Sequence, residues 1–153
     1  MKIDIEQLEP MRVGAVRHIG PYNQIGKSFE RLGALAGPAG LFQSPGALML
    51  AIFHDDPKST PPQQLRSDAA IAVKAGTPLP DGLSEQFVSG GRYARATHMG
   101  AYEGLPDAWA QFGVSLGSSG HRMGKGPGFE IYRNDMSQTP KEELRTDLYL
   151  PVE

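Results

Sequence analysis

The stretch FEIYRND, residues 129 to 135, places a carboxylate where a strand pattern calls for an apolar side chain. Along a strand successive side chains alternate between faces, so Glu130 and Tyr132 share one face while Phe129 and Ile131 share the other. The last strand pattern, LRTDLYLPV, likewise puts Asp147 and Tyr149 on a common face. The sequence therefore suggests that carboxylate and aromatic rings gather on one side of the sheet. Ring faces attract positive charge, and a partly desolvated carboxylate supplies a counter-ion, so this combination suits an amphipathic cation. A solvated edge-strand glutamate is the alternative reading. Trp109 lies on an apolar helix face and fits either the core or the wall of such a site.

Other chemistries fit the spacing poorly. The four histidines, His18, His54, His98 and His121, include no pair at helical ligand spacing with a third ligand nearby, so no metal site is expected. The glycine-rich run from Gly120 to Gly128 lacks the P-loop pattern: in that register Ser119 stands for the first glycine and Gly126 for the hydroxyl residue. It also follows a helix instead of preceding one. The chain has no cysteine, which removes thiolate chemistry and disulfides. No cofactor is expected.

The elements that must position these residues occur twice. VRHIGPYNQIGKSFERL (16 to 32) aligns with ATHMGAYEGLPDAWAQF (96 to 112), placing Phe29 on Trp109 and His18 on His98. AIFHDDP (51 to 57) aligns with EIYRNDM (130 to 136), and LRSDAAIAV (65 to 73) with LRTDLYLPV (144 to 152). The offsets, 98 − 18 = 80 and 144 − 65 = 79, differ by one residue, which marks an internal duplication. Each copy reads strand, helix, strand, strand. Alternation marks Met11 to Ile19, Ile25, Phe29, Leu32 and Ala36 stripe one helix face, and Leu48 to Phe53 and Leu65 to Lys74 follow as strands. The second copy has strands at Tyr93 to Met99, Phe129 to Arg133 and Leu144 to Val152, with a helix striped by Leu105, Ala108, Trp109, Phe112 and Leu116.

This pattern predicts a single α+β domain over 1–153, with repeat 1 at about 11–74, a linker at 75–90 holding a short strand near Glu85, and repeat 2 at about 91–152. About eight antiparallel strands and two main helices are expected, the halves related by a pseudo-twofold axis. The repeated HxGxY is read as a corner: glycine permits the reversal and the histidine ring satisfies a loop carbonyl. Arg66 and Arg145 are expected to make repeated local ion pairs. Where the repeats disagree, Ala51 against Glu130 is the most informative difference.

Bulk properties exclude several classes. A formal charge of −2 without a long basic run argues against direct nucleic-acid binding. The first twenty residues carry charges throughout, unlike a signal peptide, and no stretch approaches membrane-spanning length, so a cytoplasmic protein is expected.

Taken together, GGRYARATHMGAYEGL, FEIYRND, LRTDLYLPV and VRHIGPYNQIGKSFERL resemble the GyrI-like small-molecule-binding domain, over about Met11 to Val152. That family includes gyrase-inhibitor proteins and the effector-binding domains of AraC-type and MerR-type drug-sensing regulators. The resemblance implies a duplicated strand-helix-strand-strand fold and a ligand cleft between the halves. It maps the family's acidic residue onto Glu130 and a strand aromatic onto Tyr149, with Tyr132 and Trp109 matching less closely. It implies a small-molecule sensor or sequestering protein for an amphipathic, cationic or aromatic ligand. Two alternatives come with it. One is hydrolysis of strained cyclopropane-containing antibiotics, with Glu130 as the catalytic residue. The other is a protein partner, DNA gyrase or a transcription regulator.

Overall fold

The computed structural model describes residues 1–153. In chain order the elements are β1 (Asp4–Leu8), β2 (Met11–Ile19), α1 (Gly26–Ala36), β3 (Leu48–Phe53), β4 (Arg66–Ala72), β5 (Ser84–Val88), β6 (Gly91–Met99), α2 (Leu105–Ser118), β7 (Gly128–Tyr132) and β8 (Arg145–Pro151). Eight strands and two α-helices make an α+β protein, and the strand pairings within each half are antiparallel. The chain divides into two compact units: Pro10–Ser89, and Met1–Glu9 together with Gly90–Glu153.

In the Pro10–Ser89 unit the strand order is β3-β4-β2-β5. Helix α1 covers one face, where Leu32 and Ala36 pack with Leu41, Ala69, Ile71 and Val73. In the other unit the order is β7-β8-β6-β1, and Phe112, Ala108 and Leu116 of α2 pack on Ala94, Ala96 and Leu148. The two orders are the same once repeat equivalents are matched, which is the duplication expressed as topology. Each fully buried Leu or Phe of these cores contributes about 1.5–3 kcal/mol relative to exposure.

Two strands fall outside the strand-helix-strand-strand pattern, and they change places. β1 directly precedes β2 in the chain yet pairs with β6, from Asp4↔Arg95 to Leu8↔Gly91. β5 directly precedes β6 yet pairs with β2, from Met11↔Val88 to Ala15↔Ser84. Each unit thus completes its sheet with the strand that leads into the other. β1 lies outside the expected repeat because DIEQL is short and polar, and its partners follow it by 83 to 91 residues, where no local pattern reports them. Arg95 holds it from β6, through Asp4 at 2.9 Å and Glu6 at 2.6 Å. The short strand expected at Glu85 to Ser89 within the 75–90 linker is β5, at Ser84–Val88.

The HxGxY corners are built alike. Gly20 and Gly100 take φ of +134° and +129°, a region L side chains rarely adopt. The Gly20 N–H donates to the Leu65 carbonyl and the Gly100 N–H to the Leu144 carbonyl, each at 2.8 Å. The histidine Nε2 of His18 and of His98 lies 2.9 Å from the Pro21 and Ala101 carbonyls, respectively, and is the donor in both pairs. Tyr22 and Tyr102 then open one turn of 3₁₀-helix ahead of α1 and α2.

Candidate functional site

Three carboxylates are buried on the strands, and their partners separate them. Asp68 and Asp147 are repeat equivalents with no exposed surface. Asp68 accepts from Arg17 Nε at 2.7 Å and from His54 Nε2 at 2.5 Å. Asp147 accepts from Thr97 Oγ1 and Arg133 Nε, both at 2.7 Å, and from Arg145 at 3.1 Å. Burial pushes both carboxyls up, but these hydrogen bonds and cations outweigh it and hold both below the ordinary range. Such compensated charges belong to the architecture. The arginines expected as repeated ion pairs take part: Arg66 bridges to Asp55 at 2.9 Å and Arg145 to Asp147.

Glu130, on β7, differs. It is 6% exposed and no Lys, Arg or His pairs with it. Its hydrogen bonds come from two aromatic side chains: Trp109 Nε1–H donates to Oε2 at 3.4 Å and the Tyr132 hydroxyl donates to Oε1 at 3.2 Å. Burial dominates, and despite these two donors the carboxyl is pushed up to about 7. Tyr102 packs its ring on Tyr132 with centroids 5.3 Å apart. Burial, then the nearby Glu130 charge, raises its phenol.

Three of the four anticipated residues, Glu130, Tyr132 and Trp109, therefore meet on the α2 face of one unit. Tyr149 does not join them. The register Glu130↔Leu148 and Phe129↔Tyr149 puts Tyr149 on the opposite face, so the expected single face for both carboxylate-aromatic pairs is corrected. Tyr149 is 2% exposed, stacks on Phe129 at 4.9 Å between centroids, and its hydroxyl accepts from Arg133 at 2.9 Å. Alternation within one strand is legible in sequence, but the phase between two strands is set by pairing.

The other repeat shows what this cluster replaced. Ala51 occupies the Glu130 position with no exposed surface, Phe29 the Trp109 position and Phe53 the Tyr132 position. Tyr22 packs on Phe53 at 4.8 Å, as Tyr102 packs on Tyr132. Where one repeat has three apolar side chains, the other has three that hydrogen-bond, all in one place. Tyr22 itself is tied down: its hydroxyl donates to the Asp55 carbonyl at 2.5 Å and accepts from the Asp55 N–H at 3.0 Å. The Tyr102 hydroxyl makes no such tie to the backbone of the corresponding Asn134, although the two loop side chains act alike: Asp55 accepts from the Arg66 N–H and Asn134 from the Arg145 N–H. Sequence alone presents Tyr102 as a repeated corner residue.

No cluster of acidic, histidine or cysteine side chains suited to a metal ion forms, and no helix is long and apolar enough to cross a membrane.

The chain matches the profile of the GyrI-like small molecule binding domain over residues 1–153. It is 30% identical over 141 residues to a DNA gyrase inhibitor of Yersinia enterocolitica, covering 88% of each chain. Its fold is similar to the crystal structure of the EcmrR C-terminal domain, with a TM-score of 0.76, 18% identity and coverage of 99% of this chain and 97% of that one. It is also similar to SAV2435 bound to tetraphenylphosphonium, with a TM-score of 0.70, 13% identity and coverage of 100% and 94%.

Proposed function

Because this chain belongs to the GyrI-like small-molecule-binding family, we propose that it binds an amphipathic aromatic cation at Glu130 and acts as a sensor or sequestering protein. The observation that carries the reading is the coordinated exchange of Ala51, Phe29 and Phe53 in one repeat for Glu130, Trp109 and Tyr132 in the other. A buried carboxylate with no cationic partner costs the folded chain several kcal/mol if ionised, so an apolar core would be the more stable choice. A lipophilic cation supplies the missing charge, and the indole and phenol rings supply faces that attract it. That SAV2435 binds tetraphenylphosphonium supports this ligand class.

The test uses the only tryptophan. Tetraphenylphosphonium, which does not absorb at the emission wavelength of indole, should quench Trp109 saturably, and Tyr102→Phe should weaken binding a few-fold, by about 0.5–1.5 kcal/mol for one hydroxyl interaction. Tyr22→Phe should leave the titration unchanged and instead lower thermal stability by about 1 kcal/mol, since it removes the tie to Asp55. An emission spectrum indifferent to ligand up to millimolar concentration would place Trp109 in a closed core and reject the site. Mass spectrometry of the recovered ligand distinguishes a binder from a hydrolase.

The name of the Yersinia relative supports a second reading, inhibitory binding to gyrase. Co-purification of gyrase subunits with the tagged chain tests it, and their release on ligand addition would join the two readings.

A further inference from the structure

The Pro10–Ser89 unit contains an open basin of about 710 Å³ where β2 and β3 begin and β4 ends. Met11, Leu48, Val73 and Phe87 line it, as do Arg12 and Lys74. Its size is that of a small-molecule site. Phe87 leaves 63% of its surface exposed there, a large ring with no internal partner surface to cover it.

In the other unit the chain itself occupies the corresponding place. Equivalence is fixed by one hydrogen bond: the Val73 N–H donates to the Arg12 carbonyl at 2.9 Å, and the Val152 N–H to the Arg92 carbonyl at 3.0 Å. Beside Val152, Met123 forms an antiparallel bridge. The Gly124 N–H donates to the Pro151 carbonyl at 2.8 Å and the Glu153 N–H to the Arg122 carbonyl at 2.9 Å. The approach is so close that a Cβ on Gly124 would lie 3.2 Å from the Val152 backbone. In the Pro10–Ser89 unit the equivalent loop turns away through a 3₁₀ turn at Leu41–Gln43, burying Leu41, and the Lys74 N–H has no backbone acceptor.

The side chains at the open place have changed as well. Phe87 faces Arg12 across β5 and β2 where Gln7 faces Arg92, and Lys74 stands where the other repeat has Glu153. Arg12 is committed to Glu85 at 2.8 Å and to the Lys74 and Thr77 carbonyls. The Lys74 ammonium makes no ion pair. We propose that this basin is a second small-molecule site, for an amphipathic aromatic anion. The ring system lies across the open strand ends, with Met11 and Leu48 on one face of the sheet and Phe87 on the other, and the anionic group takes the Lys74 ammonium and its free backbone N–H. Its charge preference is opposite to that of the Glu130 site, and it stands independently of the function proposed there.

Anilinonaphthalene sulfonate, an aromatic anion, is the probe. Titrated into the full chain, it should bind saturably and shift the amide resonances of residues 73–76 and 87 first. Lys74→Glu should weaken it roughly fivefold to tenfold, as expected for reversing one exposed charge. Phe87→Ser should weaken it comparably; both positions are exposed, so neither variant threatens the fold. Tetraphenylphosphonium should not compete. Shifts confined to other residues, non-saturable binding, or titrations unaffected by both basin variants would overturn the proposal.

Discussion

Replacing Glu130 by Gln should lower affinity for tetraphenylphosphonium by about one to two orders of magnitude, the equivalent of about 1.5–3 kcal/mol for removing one charged interaction at constant shape. A neutral aromatic analogue should lose far less, because the indole and phenol rings remain. The dependence on pH gives a second readout. The carboxyl of Glu130 is held up to about 7 by burial, so below that pH the free protein carries a neutral acid and the cation must displace a proton. Affinity in the native chain should therefore rise as pH increases through about 7, nearly tenfold per unit on the acid side, and then level off. Calorimetry in buffers of different ionisation enthalpy should detect release of one proton below pH 7. The Glu130→Gln chain should show neither the slope nor the proton. Equal weakening for charged and neutral ligands, with an unchanged pH profile, would make Glu130 a structural residue.

The same substitution should stabilise the ligand-free protein, and by an amount that depends on pH. A carboxyl whose folded value, about 7, lies above its ordinary value of 4.5 keeps its proton in the native state over a range where the unfolded chain has released it. That stabilisation is fully present below pH 4.5 and is lost as pH rises, with the loss complete above about 7. Gln has no proton to lose. Thermal unfolding of the two chains should therefore diverge between about pH 5 and 8. At the alkaline end the variant should be ahead by up to about 3 kcal/mol, or roughly 5–10 °C for a domain of this length. Saturating tetraphenylphosphonium should close the gap from the native side, because ligand binding to the folded state adds its own stabilisation. Parallel melting curves across the whole range would show that the carboxyl is not desolvated in solution, and would remove its need for a cationic ligand. A residue kept at a cost to stability is the usual mark of a binding site.

Asp68 and Asp147 provide the contrast within the same molecule. They are more deeply buried than Glu130, yet cations and hydrogen-bond donors already surround them, so their charges are compensated. Burial alone does not set Glu130 apart; burial without a compensating cation does.

Periodicity and self-similarity, both local properties, carried most of this protein in its sequence. Alternation placed β2, β3, β4, β6, β7 and β8, the apolar stripes placed α1 and α2, and the constant offset showed that the second half repeats the first. The HxGxY corners followed, because a positive-φ glycine and a ring donor act within three residues of one another. Glu130 was legible too, as a carboxylate on an apolar strand where its counterpart is Ala51. What the tertiary structure decided was everything set by pairing at long range. β1 pairs with β6 and β5 with β2, although in the chain β1 lies next to β2 and β5 next to β6. Register turned Tyr149 away from Glu130, since a period of two gives the faces of one strand but not their phase against the next. Tyr22 and Tyr102 are identical letters in identical motifs, and only the folded loops show one hydroxyl fastened to the Asp55 backbone and the other without that tie.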